Sequence, residues 1–228
     1  MTYAISDIHG RFDAFLALLE RIHFKDTDEL YILGDAIDRG PEPIKCLQYI
    51  MERPNMHMLL GNHELMMLNS ILFLSKANKR VWTSQGGYIT EDQYKQLSEN
   101  EQNDILNYIA NLPLNFEVTV NVQNYILCHA APLCKYYDTS FEDTNLWWSY
   151  SDETEFVVWN RYEPKPVKDK TIILGHTPTI NLQRLKKAEI FKFNDNVINI
   201  DCGAAYPEHG GRLCCFCLDN QEAVYQDV

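Results

Sequence analysis

A chain of 228 residues with 46% hydrophobic and 23% charged side chains has the composition of a globular protein and the length to bury a sizeable core, which excludes a disordered segment or a small disulfide-stapled scaffold. Its formal net charge of −12 argues against a surface that neutralises nucleic-acid phosphates, although bound cations can reverse the sign inside one pocket. Seven cysteines, an odd number, read as small buried hydrophobes of a reducing compartment. With no signal-peptide pattern and no apolar run of membrane-spanning length, a soluble cytoplasmic protein is expected.

The first third alternates apolar strands with amphipathic helices. TYAIS leads through SDIHG into RFDAFLALLERI, where Phe12, Phe15, Leu16, Leu19 and Ile22 fall at helical spacing. ELYIL leads through GDAIDRG into PEPIKCLQYIMER, with prolines at the helix start. MHMLL leads through GNHE into LMMLNSILFL. Such alternation marks parallel strands joined by helical crossovers, with polar site residues at the strand C-terminal ends. Residues 68–112 lack strand character and read as a helical cap inserted beside the site, turning at SQGG. LNFEVTVNV and YILCHA read as paired strands with a turn near Gln123–Asn124. A loop-rich aromatic stretch runs from NLWWSY to VVWNRYEPKP and precedes the strand TIIL with its terminal GHTP. AEIFKF, VINIDCGA, GRLCCFCLD and EAVYQDV close the chain as four short strands. On the third of these, Cys215 and Cys217 share a face that Cys214 does not. One domain over residues 1–228 is expected.

Asp7, His9, Asp35, Asn62, His129 and His176 each follow an apolar strand by a few residues. One Asp or Asn beside Gly is ordinary turn chemistry. Five such turns at the same end of successive strands converge instead, and carboxylate, imidazole and amide donors gathered there make a metal site. Two Asp carboxylates, two divalent ions and a bridging hydroxide leave a charge of about +1, suited to a phosphate and to ionising the bridging water near neutral pH. The mixed oxygen and nitrogen donors fit Mn, the leading expectation, as well as Fe or Zn, and fit Ca poorly.

In order and spacing, SDIHG, GDAIDRG, GNHE, CHA and GHTP resemble the signature of the phosphoprotein phosphatase branch of the calcineurin-like metallophosphoesterases, in particular its bacterial and phage-like serine/threonine phosphatases. The resemblance implies an α/β chain, a two-sheet β-sandwich flanked by helices with a helical insertion. It implies that Asp7 and His9 bind a first metal, that Asp35 bridges both, and that Asn62, His129 and His176 bind the second. His63 is then the general acid, oriented by Asp38, and Arg39 clamps the phosphate with Asn62 beside it. Arg161, in VVWNRY, resembles a second phosphate-binding arginine. A carboxylate beside His63 is also what an imidazolium acid needs. The other readings are an N-cap for Asp38 and a surface ion pair for Arg39.

Two departures stand out. Ser6 replaces the usual first-motif Gly, which touches turn geometry rather than ligation. Pro178 ends GHTP where many phosphodiesterase relatives have a ligating His. Asp38, Arg39 and Pro178 therefore point to hydrolysis of phosphate monoesters, on phosphorylated proteins (Ser/Thr, or Tyr) or small phosphoesters, by direct attack of the bridging hydroxide. Symmetrical dinucleoside tetraphosphate hydrolysis and a non-catalytic metal-binding scaffold are the alternatives. Substrate specificity is expected from residues 68–112 and the aromatic loop. Trp147, Trp148 and Trp159 are read as packing residues near the site, His23, His57 and His209 as surface or core histidines, and Tyr206 as a residue able to face the pocket.

Overall fold

The computed structural model describes all residues except Trp147, Trp148 and Arg184, so the reading of the first two tryptophans lies outside the described residues. Its strands are β1 (Thr2–Ile5), β2 (Glu29–Ile32), β3 (Met56–Met58), β4 (Asn115–Val120), β5 (Gln123–Cys128), β6 (Thr171–Leu174), β7 (Phe191–Asn194), β8 (Val197–Asn199), β9 (Arg212–Cys217) and β10 (Ala223–Asp227). They form two five-stranded sheets, ordered β10-β9-β1-β2-β3 and β4-β5-β6-β8-β7. Each sheet is mixed: β1, β2 and β3 run parallel, as do β5, β6 and β8, while β9, β10, β4 and β7 pair antiparallel. The site turns therefore leave two parallel triplets in facing sheets rather than one continuous parallel sheet.

Alternation along each strand sorts the core into layers. Ala4, Cys214 and Phe216 face the second sheet and pack with Tyr125, Leu127, Ile173 and Ile198. Tyr3, Ile5, Cys215 and Cys217 face the other way, against the helices. The Cys214 and Cys215/Cys217 faces are thus opposite, as the two-residue period requires, and all seven cysteines are buried free thiols. The Tyr125 hydroxyl donates to the Leu218 carbonyl at 2.9 Å, pinning one sheet to the other.

The helices are α1 (Phe12–Arg21), α2 (Pro43–Met51), α3 (Asn62–Leu72), α4 (Lys76–Trp82), α5 (Tyr88–Tyr94), α6 (Glu99–Ala110) and α7 (Glu153–Trp159). α1 buries Phe15, Leu18 and Leu19, with Phe12 and Ile22 at the edges of that stripe. α4 and α5 meet through a π-helical turn at Thr83–Gly87, where Gly86 takes φ 101, the kink expected at SQGG. Trp82, Tyr94, Ile105 and Ile109 share the core cluster of β1, β2 and β3, so this helical segment is packed into the body of the molecule.

Three local expectations change. The β4–β5 turn is Asn121–Val122, with φ 48 and 65, and Gln123 already pairs with Val120 inside the ladder. Two consecutive left-handed residues make the mirror-image turn that matches strand twist, and Asn accepts it readily. The aromatic stretch contains α7, begun by Asp152, whose side chain accepts the Glu155 N–H at 2.8 Å. α3 starts at Asn62, so Asn62 and His63 occupy its first turn rather than a loop before it. Among the described residues, no helix is long and apolar enough to cross a membrane.

Candidate metal centre

The first two motif turns are zipped together by their backbones. His9 N–H donates to Asp35 O and Gly10 N–H to Ala36 O, both at 2.9 Å, and Gly40 N–H donates back to His9 O at 2.9 Å. Asp7, His9, Asp35, Asp38, Arg39 and His176 all have positive φ, between 47° and 69°. That conformation is strained for non-glycine residues and persists only where surroundings enforce it, as at functional sites. Glu64 does much of the enforcing: its buried carboxylate accepts the N–H groups of Asp35 at 2.8 Å, Ala36 at 3.0 Å and Gly61 at 3.1 Å. A side chain at Gly61 would collide with the carboxylates of Asp35 and Glu64, so this position must be glycine for the two motifs to meet.

Four buried imidazoles surround Asp35. His9 Nδ1 lies 2.9 Å from Ile37 O and His129 Nδ1 lies 2.7 Å from Leu33 O. Only a protonated Nδ1 suits a carbonyl partner, so the Nε2 lone pairs of both rings point inward. His9 Nε2 and His63 Nε2 sit 3.8 and 3.9 Å from Asp35 Oδ2, and His129 Nε2 sits 3.6 Å from Asp35 Oδ1. Two groups of donors lie close enough to hold an ion, His9–Asp35–His63 and Asp35–His129–His176, and Asp35 belongs to both. Asn62 Oδ1 stands 3.0 Å from His129 Nε2 at the edge of the second group. Asp7 borders both without joining either: its Oδ2 accepts the His176 N–H at 3.0 Å and the Ser6 hydroxyl. Ser6, the departure from the motif, thus touches the Asp7 carboxylate directly.

The donor chemistry fits divalent cations. Among the described residues His176 Nε2 is buried without a hydrogen-bond partner, and His176 belongs to the second donor group. Burial, with Asp7 alongside, holds the Asp35 carboxyl well above its usual range, and burial with Asp7 does the same to Asp201. Burial holds His9, His63 and His176 well below the usual imidazole value, helped by neighbouring imidazoles and the Arg39 guanidinium. Neutral imidazoles and carboxylates crowded out of water are the state that bound cations relieve.

Asp38 and His63 form a separate pair. His63 Nδ1 lies 2.6 Å from Asp38 Oδ2 in full burial. Asp38 also accepts the Trp82 indole N–H at 2.9 Å and the Thr90 hydroxyl at 2.5 Å. Burial nevertheless pushes its carboxyl up to about 7. It is no helix cap, since Glu42 occupies that position on α2. Arg39 joins none of the ion pairs among the described residues. Its Nη2 lies 3.0 Å from His63 Nε2, its Nη1 3.3 Å from His9 Nε2, and its Nε donates to Gln85 O at 3.3 Å. The guanidinium sits 5.3 Å from the Tyr206 ring, which places Tyr206 at the site. Arg161 is exposed just past α7, and its charge reaches both His63 and His176. Trp159 packs edge-on against His176, with ring centroids 6.1 Å apart. His57 pairs with Glu29 at 2.7 Å, while His23 and His209 are exposed, all three away from the cluster.

Sequence reasoning missed Glu64, Thr90, Trp82 and Asp201 as parts of the site. Asp201 had a signal: it follows VINI and precedes Cys-Gly, the same acid-after-strand pattern as Asp7 and Asp35. Thr90 and Trp82 had none, lying 52 and 44 residues from Asp38.

Comparisons with known proteins place this geometry. A 116-residue stretch, 50% of the chain, is 34% identical to a symmetrical bis(5′-nucleosyl)-tetraphosphatase of Salmonella paratyphi B and 29% identical to one of Actinobacillus pleuropneumoniae. The stretch spans 37% and 39% of those proteins' own lengths. A solved structure described provisionally as a diadenosine tetraphosphatase superposes with a TM-score of 0.65 at 18% identity, covering 98% of this chain and 91% of the other. A cold-active protein-tyrosine phosphatase of a Shewanella species gives 0.56 at 17% identity, over 98% of this chain and 76% of its own. These two superpositions establish a shared fold, the two-sheet arrangement expected from the motifs. The calcineurin-like phosphoesterase family model matches residues 2–216, and the chain belongs to that family.

Proposed function

We propose that the protein hydrolyses dinucleoside tetraphosphates symmetrically, splitting the central phosphoanhydride into two nucleoside diphosphates. The observation that carries the reading is the 34% identity, over half the chain, to a symmetrical bis(5′-nucleosyl)-tetraphosphatase. The site supports metal-assisted phosphoryl transfer in general: Asp35 common to two donor groups, His63 backed by Asp38, and two arginines at the rim. The monoester and protein-phosphatase preference drawn from Asp38, Arg39 and Pro178 has less support and becomes the competing arm of the test.

Asp7, His9, Asp35, Asn62, His129 and His176 would hold the ions, with Mn the leading candidate and Fe or Zn next. Two divalent ions there supply Lewis-acid stabilisation of the phosphoryl oxygens and lower the pKa of an attacking water. Arg39 and Arg161 bind phosphate oxygens, and Arg39, held over Tyr206 and tied to Gln85 O, presents its fork from a fixed position. His63 Nε2 faces the cluster and delivers a proton to the leaving oxygen, while Asp38 stabilises the imidazolium that burial and Arg39 oppose. In the anhydride reaction water adds to one central phosphorus, the bridging P–O bond breaks, and a nucleoside diphosphate leaves.

Turnover of diadenosine tetraphosphate against a phosphoserine peptide on Mn-reconstituted protein tests the reading. A kcat/KM at least tenfold higher for the tetraphosphate, with ADP as sole nucleotide product, is expected. Preference for the peptide, or AMP plus ATP as products, would overturn it.

A further inference from the structure

A groove of about 470 Å³ runs between α3 and α7, within the range of small-ligand sites. Its inner end is the metal centre's own wall: Trp159 lines it and packs against His176, and the groove side of α3 begins just past His63. At its outer end Phe73 and Val81, 70% and 50% exposed, stand where α3 ends and α4 passes. From His63 to Phe73 is ten residues at 1.5 Å each, about 15 Å of helix.

The charge of the groove selects which part of a substrate fits. Among the described residues none that lines it is basic, and Asp152 and Glu155 are part of the lining. Phosphates therefore stay at Arg39 and Arg161, and the groove takes a neutral, flat, hydroxyl-bearing group. Asp152 caps α7 through Oδ1, and Glu155 accepts the Ser151 N–H at 2.6 Å through Oε2, so each retains a second oxygen to accept from a hydroxyl. The bonds each already makes hold these carboxylates in place. Phe73 supplies an exposed aromatic face for an aromatic base at the outer end, and Trp159 an apolar wall at the inner end.

We infer that this groove is the subsite for one nucleoside of the substrate, with the base against Phe73 at the outer end, the ribose hydroxyls on Asp152 and Glu155, and Trp159 walling the path back to the metal centre. The inference rests on the dinucleoside reading above and adds where that substrate is recognised. It would place specificity on the two segments expected from the sequence to carry it: residues 68–112, which bring Phe73 and Val81, and the aromatic stretch, which brings Trp159.

Phe73→Ala and Phe73→Tyr test it, since an exposed side chain can be truncated without unfolding the core. The measurement is KM for diadenosine tetraphosphate relative to KM for p-nitrophenyl phosphate, which has no nucleoside. Phe73→Ala is expected to raise that ratio about fivefold, the low end of a base–aromatic stack, and Phe73→Tyr to leave it near the wild-type value. An unchanged ratio in Phe73→Ala, with the wild type cleaving the tetraphosphate, overturns the subsite alone. A wild type that cleaves a phosphopeptide but not the tetraphosphate overturns the functional reading and the subsite with it.

Discussion

The Trp82 indole N–H donates to the Asp38 carboxylate, 2.9 Å from Oδ2 and 3.2 Å from Oδ1, so α4 reaches the buried Asp38–His63 pair. Trp82 is 1% exposed and fills the core as well. Trp82→Phe keeps most of the packing and removes the donor. Losing a hydrogen bond to a buried carboxylate costs about 1–3 kcal/mol, so kcat is expected to fall roughly tenfold or more while bound metal stays at the wild-type level. Steady-state kinetics with metal analysis checks this, and an unchanged kcat would separate Asp38 from the proton transfer.

The proton on His63 matters in proportion to the basicity of the leaving group. An alkoxide leaves poorly without protonation, whereas a phosphate oxygen with a second pKa near 6 leaves readily as an anion. His63→Asn is expected to lower kcat on a phosphoserine peptide by about 10²–10⁴, the range for a general acid, and on diadenosine tetraphosphate by clearly less. Equal losses on both substrates would mean that His63 acts by some route other than protonating the leaving oxygen.

Metal-free protein carries a defined pH signature. Burial raises Glu64 to about 8 and Asp38 to about 7, with Asp35 and Asp201 raised as well. A carboxyl whose pKa is higher folded than unfolded binds more protons in the folded state, so stability falls as pH rises from the unfolded value through the folded one. The depressed His9, His63 and His176 act oppositely, costing stability as pH drops below about 6.5, where the unfolded imidazoles protonate. Between pH 6.5 and 8 the carboxyls dominate. The chelated protein should therefore lose a few degrees of Tm across that window, at about 2–4 °C per kcal/mol, and loading with Mn should abolish the decline. A flat or rising Tm for the chelated protein would contradict the assigned environments of Glu64 and Asp38.

Gly61 is the contact point between the Asp35 turn and the start of α3. Gly61→Ala would push its methyl into the Asp35 and Glu64 carboxylates. Displacing groups that orient metal ligands lowers affinity by about 10–100-fold, so the variant should need correspondingly more Mn for half-maximal activity. A titration indistinguishable from wild type would show that the Asp35 turn tolerates displacement.

The site residues read from spacing alone share one trait, that each follows the end of a strand, whereas His63, Asp38, Arg39 and Arg161 were named through the family resemblance. Asp7, Asp35, His129 and His176 could be read because an apolar run ended beside them in a polar turn, and strand ends of parallel units gather in space. Helical periodicity likewise placed α1 and α2, and the lack of strand character made residues 68–112 read as helical. What stayed hidden depends on packing. Trp82 and Thr90 sit in ordinary helices, and nothing local records that they meet Asp38. The left-handed backbone of His9 and Arg39 follows from the zipper between two turns, which spacing alone does not encode. The β4–β5 turn was displaced because Gln123 and Asn124 look like turn residues, yet Asn121–Val122 closes the ladder with the favoured two-residue geometry.

Asp35 joins the two donor groups, and that link is the centre of the account. The direct measurement is metal content by mass spectrometry together with tetraphosphate turnover, for wild type and Asp35→Asn after chelation and reconstitution with Mn. The wild-type chain is expected to hold about two Mn and to show no turnover before reconstitution, and the Asp35→Asn protein to fold, bind less metal than the wild type and be inactive. Full activity of the stripped wild type, or wild-type metal content and turnover in Asp35→Asn, would contradict it.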